Sequence, residues 1–293
     1  MRQLVLSVFV FCLAAPSIGA QLSDATLNET IREAEATPTA ENLISAAAAA
    51  RLMRDYDAAE EHLDAAWQAA QPIFNGLINN SMMLAAASGE GVGGMQRTFR
   101  ELNQRFNFTP IQISNWAGSY PEILWDGEFD EMLMRFSPES TDPMYRCGCY
   151  ATIAWSHRLA GRHDEASALW ATMVAQGESP ALRNATSEGT ADAEATLRGQ
   201  YARDLVRAGR NDEARRQLER SMNLSVSDAG LPTAQRRWAQ AYAELGDAAG
   251  AVAQLEPLLE ANSLISVNTL QTRAAWMLIR DDPEFQALLE RHR

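Results

Sequence analysis

The chain contains no lysine. All 25 of its basic residues are arginine, and they face 38 aspartate and glutamate residues, so the 293-residue chain has a formal charge of −13. Cleavage of an N-terminal leader that carries Arg2 would leave 24 arginines against 38 acidic residues, a charge of −14. A phosphate backbone would be repelled by this overall charge. The composition therefore argues against a nucleic-acid partner, and arginine without lysine in an alanine-rich chain is typical of high-GC bacteria.

Motifs for catalysis and for cofactors are also missing. The chain has no GxSxG nucleophile elbow and no HExxH metal helix. The glycine cluster at 89–94, GEGVGG, follows an apolar helical pattern and has no lysine, so a flexible linker is predicted here rather than a phosphate loop. We predict no catalytic residue, no metal and no cofactor.

Cysteine is scarce, with three residues in the whole chain. Cys147 and Cys149 are predicted to pack as small apolar residues, although a strained disulfide between them is an alternative. A redox or hydrolytic enzyme that pairs one of them with His157 is a further alternative. It is disfavoured because His157, eight or ten residues further along one helix, is beyond hydrogen-bond reach.

The longest apolar run is short and stands at the start. Residues 4–15 are almost entirely apolar, Arg2 precedes them, and Pro16 to Ala20 are mostly small. This pattern is typical of a secretory signal peptide, and the run is too short to span a bilayer. We expect cleavage after Ala20, export to the periplasm or medium of a bacterium, and no membrane insertion afterwards.

A repeat dominates the rest of the chain. Gly209 and Gly246 lie 37 positions apart, and an alanine stands seven residues before and five residues after each of them. The same frame recurs around Gly161 and, with Arg54 in the glycine position, around LMRDYDAA at 52–59. Glycine ends a helix at positive φ, and small alanines let two helices approach closely. Each unit is therefore predicted to be a helical hairpin that stacks on the next.

Helix, turn glycine, acidic residue and alanine in this order resemble the tetratricopeptide repeat family. Gly127 and Gly161 are separated by 34 residues, the period of that family, and WDGEFDEM at 125–132 is similar to a degenerate copy with Met132 in the alanine position. Five units are predicted, beginning near residues 40, 113, 147, 195 and 232. The resemblance implies an all-α fold, a right-handed superhelical solenoid of helix-turn-helix hairpins.

The predicted organisation follows from these units. We expect a signal peptide at 1–20, a capping helix at 21–38, and a first hairpin with extra helices and the glycine-rich linker at 39–112. Repeats at 113–261, with a long loop at 177–194, precede a C-terminal cap at 262–293. The cap resembles the endings of bacterial tetratricopeptide domains attached to serine/threonine kinases or winged-helix regulators, and five residues carry this likeness: Asp282, Pro283, Phe285, Leu288 and Leu289.

The resemblance also implies a partner-binding site. First helices of successive hairpins line a concave groove in that family, and the groove positions here are Trp155, Arg158, Arg203, Arg207, Arg236 and Gln240. Because arginine donates two parallel hydrogen bonds to a carboxylate, we predict a protein or peptide partner with acidic groups, and hence an adaptor or assembly factor. The alternative is that these arginines are solvated or are paired with Asp204, Glu244 and their neighbours.

Aromatic residues are densest at 106–136, where Phe108, Trp116, Tyr120, Trp125 and Phe129 occur. One interpretation is an aromatic pocket that holds a small ligand, which would make the protein a small-ligand binder. The favoured interpretation is a hydrophobic seam between the first unit and the later ones, because aromatic side chains mostly serve packing.

Overall fold

The structure is a computed structural model that describes residues 23–69, 74–137, 140, 150–176, 189–261 and 265–293. Within these residues every regular element is an α-helix or a short 3-10 helix, which confirms the all-α class. No helix of the described ranges combines the length and apolarity that crossing a bilayer requires. The predicted signal peptide, Cys147, Cys149 and positions 177–188 of the predicted loop lie outside the described residues.

The helices pack mainly against their neighbours in the chain, in pairs. In chain order they are α1 (Asp24–Ala36), α2 (Ala40–Leu52), α3 (Tyr56–Ala69), α4 (Phe74–Ala87), α5 (Gly91–Phe106), α6 (Pro110–Ser119), α7 (Asp130–Leu133), α8 (Tyr150–Leu159), α9 (His163–Gln176), α10 (Ala191–Arg207), α11 (Asn211–Met222), α12 (Leu231–Glu244), α13 (Ala248–Glu260), α14 (Val267–Thr272) and α15 (Pro283–Arg291). Short 3-10 helices span Pro121–Leu124 and Ala274–Trp276.

Four helical hairpins have the same type of turn, at the positions where the repeat places it. The pairs are α2 with α3, α8 with α9, α10 with α11 and α12 with α13. The turn residue has φ of 76° at Gly161, 75° at Gly209 and 72° at Gly246, and Arg54 has φ of 62° at the same position of the first hairpin. In each turn the N–H of the next residue donates to a carbonyl five residues back, as from Arg210 to Leu205 at 2.8 Å. This is the hydrogen bond that closes a helix on a left-handed residue.

The alanines beside the turns lie where the predicted close approach requires them. All eight have at most 2% of their surface exposed, and such small buried side chains allow helices to approach closely. They are Ala47, Ala59, Ala154, Ala166, Ala202, Ala214, Ala239 and Ala251. Of the first helices, α10 packs against α12.

The predicted second unit departs from a regular hairpin. Helix α6 ends at Ser119, a 3-10 turn follows from Pro121, and α7 is only four residues long. Tyr120 precedes a proline, and the residue before proline is disfavoured in the α conformation, so the helix cannot continue.

Two predicted irregular stretches are helical instead. Gly91 to Gly94, predicted as a flexible linker, form the first turn of α5, because Met95 and Phe99 are fully buried on its inner face and favour the helix. Helix α10 begins at Ala191 rather than near residue 195, since the Thr190 hydroxyl accepts a hydrogen bond from the Ala193 N–H at 3.3 Å.

The C-terminal segment packs on the last hairpin. Pro283 occupies the first turn of α15, the Asp282 side chain caps it, and Phe285, Leu288 and Leu289 are fully buried in one cluster with α13. The same segment reaches the first half of the chain, because α14 packs against α4 and α5.

Two long-range hydrogen bonds fix this contact. The Asn268 side-chain nitrogen donates to the Ala87 carbonyl at 2.7 Å, and Arg54 Nη2 donates to the Leu259 carbonyl at 2.8 Å. The beginning and the end of the helical array are therefore joined.

Candidate functional site

The structure brings the six predicted groove residues onto three helices that pack together. Trp155 and Arg158 come from α8, Arg203 and Arg207 from α10, and Arg236 and Gln240 from α12. Positions 37 residues apart meet across the hairpins, because they occupy equivalent places in successive units. Arg203 therefore bonds to Gln240, and Arg207 bonds to Glu244.

Glu244 neutralises two of the predicted groove arginines. Its side chain is 2% exposed, and it accepts hydrogen bonds from Arg207 Nε at 2.8 Å and Arg158 Nη1 at 2.9 Å. Burial alone would raise the pKa of the Glu244 carboxyl, but Arg207 and Arg158 outweigh burial and the pKa is lowered. For these two arginines the structure shows the pairing that the sequence left as an alternative.

Two tryptophans complete the surroundings of this ion-paired group. Trp155 is 3% exposed and lies edge-on to Trp170, with ring centroids 5.7 Å apart. The Arg207 guanidinium lies 4.6 Å from the Trp155 ring centroid, and that of Arg158 lies 5.2 Å from it. Cation-π contacts of this kind stabilise a desolvated cation. Trp155, Arg158 and Arg207 thus hold α8, α10 and α12 together and do not present free groups to a partner.

Arg203 and its neighbour Arg237 form no ion pair with any carboxylate of the described residues. The Gln240 side-chain oxygen accepts from Arg203 Nη1 at 3.0 Å and from Arg237 Nη1 at 3.3 Å, and Gln200 accepts from Arg203 Nη2 at 2.8 Å. The Nε–H groups of Arg203 and Arg237 are buried and have no acceptor among the described residues. The neutral side-chain amide of Gln240 is therefore hydrogen-bonded to two cations, Arg203 and Arg237.

Burial and mutual repulsion weaken proton binding by these guanidinium groups. Burial, reinforced by Arg207, lowers the pKa of Arg203 to about 9. Burial, reinforced by Arg273 and Arg203, lowers the pKa of Arg236 to about 10. Burial, reinforced by Arg236, lowers the pKa of Arg237 to about 9. Each pKa is lowered because the guanidinium is partly removed from water and lies near other positive charges.

Arg273 connects this group to the first half of the chain. Its Nε donates to the fully buried Glu122 carboxylate at 2.9 Å, its Nη2 donates to the Ser119 carbonyl at 2.8 Å, and its guanidinium lies 4.9 Å from the Tyr120 ring centroid. Burial lowers the pKa of Arg273, but the Glu122 charge outweighs it and the pKa is raised. This ion pair holds the C-terminal segment on the 3-10 helix that follows α6.

Arg51 reaches the same region from α2. Its Nε–H is buried and has no acceptor among the described residues, and burial lowers its pKa. Arg51 and Arg273 both interact electrostatically with Tyr120, whose pKa burial raises to about 12. We call Arg51, Arg203, Arg236, Arg237 and Arg273 the arginine cluster.

Sequence reasoning found Arg203 and Arg236 but missed Arg51, Arg237 and Arg273. Arg237 lies beside a predicted groove position and could have been found from the RR pair at 236–237. Arg51 and Arg273 come from the two ends of the array, and only the folded chain brings them near each other.

Most of the aromatic residues at 106–136 belong to the hydrophobic core. Phe108, Tyr120, Phe129 and Phe136 are at most 8% exposed and belong to one hydrophobic cluster that extends from α4 to α9. Trp116 is partly buried and stacks on Tyr120 with centroids 6.1 Å apart. These contacts agree with the predicted seam between the first unit and the later ones.

The described histidines and acids show no assembled metal site. No group of three or more His, Cys, Asp or Glu side chains within the described ranges is placed to hold a metal ion. His157 Nδ1 accepts a hydrogen bond from Arg162 Nε at 2.8 Å, and its pKa is lowered by burial and by Arg162. The proposed partners of His157 in catalysis, Cys147 and Cys149, lie outside the described residues.

Comparison with known proteins gives no relative: no protein-family model, no curated protein and no solved structure matches this chain.

Proposed function

We propose that this chain is an exported tetratricopeptide-like solenoid, right-handed in its superhelix, that acts as an adaptor or assembly factor. Its partner is a protein or peptide with an acidic segment, and the arginines on the first helices of the hairpins bind that segment. One observation carries the proposal. Arg203 on α10 and Arg237 on α12 share the neutral Gln240 as their acceptor, whereas Arg158 on α8 and Arg207 on α10 already have a carboxylate.

The difference between these two pairs has a physical consequence. A guanidinium stays protonated at neutral pH, and in a partly buried place its charge interacts strongly with any carboxylate that approaches. Arg203 is already oriented by Gln200 and Gln240, so little side-chain freedom is lost when a ligand binds. An acidic segment can therefore gain charge-assisted hydrogen bonds here at a low entropic cost.

Binding of a labelled acidic peptide tests the proposal. Fluorescence anisotropy with the purified protein would compare a peptide rich in Asp and Glu with its Asn and Gln counterpart. We expect saturable binding of the acidic peptide alone, weakening as salt is added. Arg203→Gln and Arg236→Gln should each weaken binding about tenfold or more, the effect of losing one charged hydrogen bond.

The matched control is Arg32→Gln on α1. Arg32 is exposed and pairs with Glu29, three residues earlier on the same helix. Its loss should therefore leave peptide binding unchanged. Equal binding of the acidic and amide peptides, or equal loss in Arg32→Gln and Arg236→Gln, would show that the arginines are not the binding surface.

A further inference from the structure

The arginine cluster draws its members from distant parts of the chain. Arg51 lies on α2, Arg203 on α10, Arg236 and Arg237 on α12, and Arg273 directly after α14. Arg236 interacts electrostatically with Arg273 and Arg203, and Arg237 with Arg236 and Arg273. The geometry agrees: α12 packs against the 3-10 helix Ala274–Trp276, which directly follows Arg273, and Gln240 joins Arg203 to Arg237 by hydrogen bonds. The five positive charges therefore lie in one half-buried region.

The carboxylates of the described residues do not balance them. Glu122 pairs with Arg273, and Glu244 is occupied by Arg158 and Arg207. Asp204 attracts Arg203 and Arg237, but its hydrogen bonds come from Gln200 at 3.2 and 3.3 Å. The cluster therefore keeps an excess of positive charge.

Arg236 has the least compensation of the five. The groups that shift its pKa beside burial are Arg273, Arg203 and the neutral Tyr120, and no carboxylate is among them. Within the described part of the chain it forms no ion pair.

Several N–H donors of the cluster also lack an acceptor. The Nε–H groups of Arg51, Arg203 and Arg237 are buried, and no described residue accepts from them. An unsatisfied buried donor costs about 1–3 kcal/mol, and more when the group is charged. Since arginine does not release its proton at neutral pH, the cost is removed by an acceptor that carries negative charge.

We propose that the arginine cluster binds a compact oxyanion with two or more negative charges, of the carboxylate or phosphate type, which bridges α12 to Arg273. The inference rests on the proposed function, because the same arginines would recognise such groups on an acidic partner. The inference adds that the ligand is a compact oxyanion and that its binding stabilises the fold. A bridging anion holds the C-terminal segment against the first half of the chain, since Arg273 is already fixed to Glu122 and Ser119.

Thermal unfolding with defined anions tests this. The melting temperature of the purified protein would be followed with citrate, with inorganic phosphate and with sodium chloride at matched ionic strength. We expect it to rise with the logarithm of citrate or phosphate concentration once the site is filled, and to change little with chloride. The difference between the citrate and phosphate curves identifies the preferred oxyanion.

Two variants locate the site. Arg236→Met removes the least compensated charge and should weaken anion binding about tenfold or more, measured by calorimetric titration. It should also raise the melting temperature without anion, because a repulsive charge is lost. Arg51→Gln tests the member of the cluster that comes from α2 and should likewise weaken anion binding, while Arg32→Gln should bind as the wild type does.

The outcomes separate the two proposals. If citrate and phosphate stabilise the protein no more than chloride, or if Arg236→Met and Arg51→Gln respond as the wild type does, the oxyanion site is wrong. Continued binding of the acidic peptide would then leave the proposed function standing. An anion response without peptide binding would overturn the proposed function and retain the oxyanion site.

Discussion

Replacement of Glu244 by glutamine should be among the most damaging conservative substitutions in this chain. Glutamine has nearly the same size and keeps one oxygen acceptor, so the change removes a charge with little change in packing. In the folded protein Glu244 is 2% exposed and is the carboxylate partner of both Arg158 and Arg207, whose side chains are 10% and 5% exposed. The variant would leave Arg158 without a carboxylate partner among the described residues and would leave Arg207 with only the longer contact to Asp204, at 3.8 Å.

The magnitude follows from that geometry. Breaking a buried ion pair by removing one partner costs about 3–5 kcal/mol, because the remaining charge is uncompensated. The tryptophan contacts of Arg207 and Arg158 persist and retain some stabilisation. We therefore expect a loss of about 3 kcal/mol. For a chain of this size the melting temperature should fall by roughly 6–12 °C.

Urea unfolding and thermal circular dichroism measure the effect, with Glu256→Gln as the matched control. Glu256 pairs with Arg291 at 2.7 Å, but the two side chains are 41% and 49% exposed, so the same substitution there should cost about 0–1 kcal/mol. If Glu244→Gln loses no more stability than Glu256→Gln, the buried ion-paired group does not hold the three helices together.

Three further outcomes are expected. First, the pKa of Glu244 is lower in the folded than in the unfolded protein. The Glu244 carboxylate therefore stabilises the fold above about pH 4.5, and this stabilisation is lost as pH falls through the lower folded pKa. The melting temperatures of wild type and Glu244→Gln, measured from neutral to acidic pH, should converge. Second, Gly246→Ala should lower the free energy of unfolding in urea by about 1–2 kcal/mol. The cost comes from φ of 72° alone, because no atom lies within 4 Å of the added methyl. The control Gly93→Ala, in an exposed helical position, should raise the free energy of unfolding by about 0.5–1 kcal/mol. Third, Ser221→Ala should cost about 1–3 kcal/mol, because the buried Trp238 indole N–H donates to the Ser221 hydroxyl at 2.6 Å and would lose its acceptor; an unchanged free energy of unfolding would contradict this.

Local patterns in the sequence were sufficient to locate the turns of the hairpins and the last helix. The position of a turn depends on a few neighbouring residues, so the glycines at 161, 209 and 246 located three turns and Arg54 a fourth. Pro283 similarly located the last helix. The local reading was wrong at 91–94, where glycines suggested a linker, because the gain from burying Met95 and Phe99 outweighs the low helix propensity of glycine.

The sequence by itself determined the all-helical class, the repeat spacing and the buried alanines, since each depends on residues within one or two turns of a helix. Only the tertiary structure decided which arginines have a carboxylate partner. It paired Arg158 and Arg207 with Glu244, left Arg203 and Arg236 without a described carboxylate, and brought Arg273 to Glu122 across 151 positions of the chain. Whether an arginine is neutralised or available depends on which carboxylate reaches it in space, and that distance is set by the packing of whole helices.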